Sequence, residues 1–171
     1  MASRPHPHRL SWFTALLASS SALGVAFGIP FGMAFGNPFA HAHPAARTVE
    51  LTLTAAPAHW LSLVSGGPTD VLAYNGQVPG PTLEFREGDH VVIHFRNDLP
   101  ETTTIHWHGL HIPAAQDGSP LNPVKAGGTV DYVFTILPGA AGTYWYHPHP
   151  DHRTGYQIAK GLYGAIIIRA A

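Results

Sequence analysis

The sequence predicts an all-β fold, a Greek-key β-sandwich, and three observations carry that expectation. Gly (18) and Pro (16) together make up about a fifth of the 171 residues, which punctuates the backbone too often for long helices. Apolar and polar residues alternate with period two at 49–54 and again at 130–136, the pattern of strands with one face on a core. Short apolar segments recur along the chain with Gly, Pro, Asn or Asp between them, as in a sandwich rather than in βαβ units.

The elements follow in order. The first expected strand is 49–54, apolar at its odd positions. The run 71–74 stops at Asn75-Gly76 and then Pro79-Gly80-Pro81, residues that accept left-handed backbone or preset a turn. A short run at 83–85 ends at Glu87-Gly88-Asp89, and 91–95 ends at Asn97-Asp98-Leu99-Pro100. Residues 104–108 form the next strand. The run 130–136 is the most regular and is closed by Pro138-Gly139; 143–147 is aromatic-rich, and 165–168 ends the series. One short helical piece is expected between Gly155 and Gly161. A single domain is expected over 43–171.

Residues 1–42 are expected to lie outside that domain. Arg4 and Arg9 precede a stretch, 10–40, without Asp, Glu, Lys, Arg or His, and Ala40-His41-Ala42 is a small-x-small exit. Together these outline a secretory signal and a secreted or periplasmic protein. The arginines are separated, so no paired-arginine signal is evident. The stretch is long enough for the alternative, an uncleaved membrane anchor. Pro30 and Pro38 interrupt it, and 24–39 repeats Gly-x-(Ala/Pro)-Phe four times, a low-complexity pattern with no assignable chemistry. Cleavage after Ala42 would leave 7 basic and 10 acidic residues and no Met.

Composition narrows the chemistry. Cys is absent, which excludes a disulfide framework, a thiolate metal site and a thiol nucleophile from these residues. The formal net charge is −1 and no stretch is strongly basic, so nucleic-acid binding has no electrostatic footing. Histidine, with 13 copies against 2 Met, is the outlier.

Four of those histidines are patterned, as His106-Trp107-His108 and His147-Pro148-His149. On a strand, residues i and i+2 share a face about 6.5–7 Å apart. His106 and His108 therefore point one way while Trp107 turns to the core. Pro148 suits the last, unpaired position of a strand. If the two strands are neighbours, four imidazoles converge, and imidazoles without carboxylate or thiolate favour Cu, Zn, Fe or Ni over Mg or Ca. The spacing does not choose between one ion per pair and members facing two ions. His111 is odd-spaced from His108 and His152 lies in a loop after Pro150, so neither is expected to ligate. His59, His90 and His94 have no patterned partner and are read as surface or packing residues.

These segments resemble the first cupredoxin domain of the multicopper oxidases. The resemblance is carried by Tyr74-Asn75-Gly76-Gln77-Val78-Pro79-Gly80-Pro81-Thr82-Leu83, Arg86-Glu87-Gly88-Asp89 and Asn97-Asp98-Leu99. It continues through Thr104-Ile105-His106-Trp107-His108-Gly109-Leu110, Gly142-Thr143-Tyr144-Trp145-Tyr146-His147-Pro148-His149 and the closing Gly161-Leu162-Tyr163-Gly164-Ala165-Ile166-Ile167-Ile168. It covers about 47–169. Within the family, the periplasmic copper-resistance oxidases look nearest, on the stretch from His147 through Gln157-Ile158-Ala159. The resemblance implies that His106 is a type 2 copper ligand, that His108 is a type 3 ligand, and that His147 and His149 divide between the two type 3 coppers. It also implies a proton-delivery role for Asp117, in Gln116-Asp117-Gly118. The alternative for Asp117 is a turn residue before Gly118.

The chain departs from the family in one respect. The family's later domain supplies the remaining trinuclear ligands and a Cys-containing blue, type 1 site, and no Cys occurs here. The expectation is therefore a truncated or split oxidase that supplies half of the trinuclear ligands for O2 reduction coupled to substrate oxidation and is inactive alone. Its expected partners are copper ions, O2 when complemented, and a second cupredoxin domain or another copy of itself; membrane contact is expected only if the leader is uncleaved. The alternative is a non-enzymatic cell-envelope protein that binds and buffers copper. A cupin-type metalloenzyme would place a Glu soon after His-x-His, where Gly109-Leu110-His111-Ile112-Pro113 stands instead. A metal-free descendant of the fold would not be expected to keep all four histidines.

Overall fold

Alternation along the strands builds the sandwich, and the computed structural model, which describes residues 47–61 and 66–171, shows how. The expected leader, 1–42, lies outside the described residues. The described strands are β1 (Thr48–Leu61), β2 (Pro68–Tyr74), β3 (Gly80–Arg86), β4 (His90–Asn97), β5 (His106–His108), β6 (Thr129–Thr135), β7 (Gly142–His147) and β8 (Gly164–Arg169). One helix, α1 (Thr154–Ala159), and one 3-10 turn (Ala114–Gln116) complete the elements. No described helix is long and apolar enough to cross a membrane.

The strands form two mixed sheets, ordered β2-β1-β4-β6 and β3-β8-β7-β5. β1 pairs parallel with β4 and β3 parallel with β8; the other neighbours are antiparallel. The facing sides share one core. Leu53, Val91, Ile93, Phe95, Tyr132 and Phe134 come from the first sheet, and Leu83, Phe85, Trp107, Tyr146, Ile166 and Ile168 from the second. The Trp107 ring joins the layers, with its centroid 5.4 Å from those of both Tyr132 and Phe134.

Most strands run longer than the sequence reading, β1 most of all, while β5 is shorter. β1 runs on to Leu61 because it changes partner: it lies beside β4 up to Ala55 and beside β2 from Ala55 onward. Pro57 falls past the last residue paired with β4, where its missing N–H disturbs no ladder. β5 begins only at His106, since the N–H of Ile105 donates to the Tyr132 hydroxyl (3.0 Å) and Thr103 bridges to Val124.

Buried polar groups tie the turns. The Asp89 carboxylate accepts the Arg86 N–H (2.7 Å) and both arms of the Arg47 guanidinium (2.9 and 3.1 Å). Burial pushes that carboxyl up, but these partners outweigh it and hold its pKa below the ordinary Asp value. Asn97 donates to the Glu101 and Val124 carbonyls (both 2.9 Å) and accepts the Leu99 N–H (3.1 Å).

On the outer face of the first sheet, one histidine spans three strands. His94 on β4 meets Glu50 of β1 through Nε2 (2.7 Å) and Asp131 of β6 through Nδ1 (2.8 Å). Only the protonated ring can donate to both. The Glu50 contact first, then Asp131, raises the His94 pKa. Arg96, two residues along, is engaged by Asp98 at 2.6 Å. A raised folded value means the stabilisation is complete below the unfolded pKa of about 6.5 and fades as pH climbs through the folded value. Thermal melts with chelator present should show His94→Gln lagging the parent most near pH 6 and converging with it toward pH 8.5. A gap that widens with pH would show that His94 is not held in the charged form.

Candidate metal centre

Strand pairing places the histidines. β5 and β7 run antiparallel with His106 opposite His147, Trp107 opposite Tyr146 and His108 opposite Trp145. Facing residues share a side of the sheet, so His106, His108, Trp145 and His147 form one surface while Trp107 and Tyr146, both fully buried, form the other. His149 lies beyond the end of β7, where its N–H donates to the Thr104 hydroxyl oxygen at 2.8 Å.

The four rings cluster. Centroids lie 5.2 Å apart for His106 and His147, 5.5 Å for His106 and His108, 5.5 Å for His106 and His149, and 5.4 Å for His108 and His147. His108 Nδ1 stands 3.2 Å from His147 Nε2. One nitrogen from each of His106, His108 and His147 falls within 4.8 Å of the others, the one such group among the described residues. His149 joins the ring cluster but not this tighter triad.

In His106 and His147 the second ring nitrogen is occupied, which orients the free one. His106 Nδ1 lies 2.9 Å from the Asp117 carbonyl oxygen and 3.2 Å from Asp117 Oδ1, so Nδ1 carries the proton and Nε2 is left as donor. His147 Nδ1 is 2.8 Å from the Pro148 carbonyl, so its Nε2 also faces the cluster. Burial lowers the His147 pKa, and the neighbouring His106, His108 and His149 push the same way against the bond to Pro148. A ring held neutral is in its metal-binding form. The Trp145 ring covers this side, 4.1 Å from the His147 centroid and 5.2 Å from that of His108. Its place two residues before His147 on one strand is the signal that could have found it.

Asp117 reaches His106 because its loop is clamped against β5. The Trp107 indole N–H donates to the Gln116 carbonyl (3.0 Å), and the Val133 N–H to Gln116 Oε1 (2.7 Å). Gly118 then takes a φ of +65°, and a Cβ there would sit 1.7 Å from the Ile105 carbonyl oxygen. No side chain fits that approach.

The other described histidines stand apart from the cluster. His59 pairs with Asp70 (2.8 Å), His152 with Asp151 (3.3 Å), and His90 approaches Thr135 (3.5 Å). His111 is exposed. His94 holds the cross-strand position described above.

A profile of the multicopper oxidases matches residues 58–171. The chain belongs to the multicopper oxidase family. The multicopper oxidase mco of Staphylococcus aureus is 44% identical over 103 residues, 60% of this chain and 23% of that protein. The copper resistance protein A of Escherichia coli is 42% identical over 108 residues, 63% of this chain and 17% of its own length. Among solved structures, a multicopper oxidase from Campylobacter jejuni described as a metallo-oxidase superposes with a TM-score of 0.69 at 46% identity, covering 72% of this chain and 26% of that one. The chain thus spans about a quarter or less of the length of these relatives. The fold of this multicopper oxidase domain is the cupredoxin-like sandwich the resemblance implied.

The Gly118 clamp has a measurable consequence. Gly118→Ala should cost at least about 1–3 kcal/mol, the usual penalty of a strained backbone position, in urea melts. It should also speed hydrogen exchange at the Trp107 indole N–H while leaving the Trp145 indole unchanged. Unaltered exchange at Trp107 would mean that the loop does not depend on this approach.

Proposed function

We propose that this domain supplies half of a trinuclear copper cluster that reduces O2 while a second substrate is oxidised. The observation that carries the reading is the triad of His106, His108 and His147, three imidazole nitrogens within 4.8 Å of one another. The donor set fits copper: all imidazole, two rings presenting Nε2 and one presenting Nδ1, with the spare nitrogens of His106 and His147 tied to carbonyl groups. On this reading His106 serves the type 2 copper, His108 a type 3 copper, and His147 and His149 the two type 3 coppers. Bound copper would supply the redox chemistry. The chain's residues hold and orient it, exclude water on the Trp107 side, and manage a proton. Asp117, partly exposed with Oδ1 3.2 Å from His106 Nδ1, can exchange a proton with solvent at that carboxylate beside the site.

These 171 residues contain no Cys and a blue site needs a thiolate, so on this reading that site, and with it the other half of the trinuclear ligands, comes from other polypeptide. A second cupredoxin domain docked on the histidine face, in the same or another chain, fills that role. The apolar run 10–40 and its flanking residues support export to the periplasm or beyond.

Cu(II) titration should show specific binding without an intense blue band. Affinity should fall as pH drops and protons compete for imidazole, and because burial lowers the His147 pKa, that ring should stay available to metal to below the ordinary His value of about 6.5. Replacing both His106 and His108 by Ala should weaken binding by more than the roughly 10–100-fold typical of losing an outer-shell partner; replacing His59 or His152 should not. O2 uptake should be negligible for the chain alone and appear on adding a cupredoxin domain that carries His-Cys-His. Tight copper binding with no such complementation would favour copper buffering.

A further inference from the structure

We propose that Thr104 and Gln157 are positioning residues that set the fourth imidazole, His149. The inference rests on the ligand reading of His149. Of the four patterned histidines, only His149 lies outside a strand, two residues past the end of β7. Strand pairing therefore cannot place it, and something else must. Its N–H is held by the hydroxyl oxygen of Thr104 at 2.8 Å, and Thr104 is fully buried, two residues before His106.

The segment just before Thr104 is in turn held from α1. Gln157, on that six-residue helix, is fully buried and spends its whole amide on the segment before β5. Its Nε2 donates to the Thr102 carbonyl (2.9 Å) and to Glu101 Oε1 (3.1 Å), and its Oε1 accepts the Thr103 hydroxyl (2.8 Å). Glu101 also binds Arg153, at the entry to α1, at 2.6–2.8 Å. The bend between β7 and α1 is closed by the Thr154 hydroxyl donating to the Pro150 carbonyl at 2.9 Å. The chain thus leaves β7, passes His149 and returns in α1 to grip the segment whose next hydroxyl holds His149. A buried amide satisfied at three points is expensive to disrupt. Such a ring of contacts fixes the His149 backbone relative to His106 without touching metal.

The test uses the full 171-residue chain and two readouts. In the metal-free protein, hydrogen exchange at the His149 amide should quicken at least about tenfold in Thr104→Val, which removes the acceptor but keeps the shape, and return toward the parent in Thr104→Ser. Gln157→Met should quicken it too. With Cu(II) added, Thr104→Val should lose about 10–100-fold in affinity, as for other outer-shell partners, and shift the copper EPR hyperfine splitting; Thr104→Ser should restore both. A Thr104→Val protein that keeps the parent's affinity and EPR signature, while His149→Ala loses them, overturns the positioning role and leaves the ligand reading standing. A His149→Ala protein with unaltered copper binding overturns the ligand reading and this inference with it. If Thr104→Val does not fold, Gln157→Met and Thr104→Ser carry the same comparison.

Discussion

Were β5 to slip one residue against β7, Trp107 would stand where the imidazoles now face outward, and His106 and His108 would turn into the core. The side-chain period of two makes register all-or-none, and in this protein two kinds of side chain enforce it from opposite faces. Trp107 packs on Tyr132 and Phe134 of the other sheet, and losing so large a buried ring costs about 3–5 kcal/mol. The convergence of imidazoles on one side is thus maintained by hydrophobic burial on the other.

Holding imidazoles close together needs more than register, because each ring carries two nitrogens and only one can face a metal. Here main-chain carbonyls take up the second nitrogen of His106 and of His147. Main-chain acceptors are fixed by the fold itself, so the tautomers are chosen before any ion arrives. The Asp117 loop shows how the sequence secures this: an indole donor beneath it, an amide acceptor beside it, and a glycine where it touches the neighbouring strand.

Much of the fold was legible because alternation and turn residues are local signals. All eight expected strands and the helical piece between Gly155 and Gly161 have counterparts in the described structure. His106 and His108 were legible for a related reason, since His-x-His on a strand declares its own geometry; the second pair was expected to do the same, but β7 ends at His147 and leaves Pro148 and His149 beyond it. What stayed hidden depends on pairing between distant segments. The bridge from Glu50 through His94 to Asp131 exists only once β1, β4 and β6 lie side by side, and no spacing along the chain announces it. The same holds for Gln157, which reads as one more helix residue until the chain folds back on Glu101. The length of β1 was misjudged because its change of partner at Ala55 is a property of the sheet.

The parallel pairing of β3 with β8 aligns Glu84 with Ile167 and Phe85 with Ile168, segments separated by most of the domain's length. β7 lies between β8 and β5, and two strands alone are marginal in water. A durable β5–β7 pair is therefore favoured by β8, and β8 needs a closure between segments 83 residues apart, Glu84 and Ile167, a slow kind of contact to make. By that argument, a chain in which β8 has not docked holds its β5–β7 pair, and with it the four imidazoles, less firmly together.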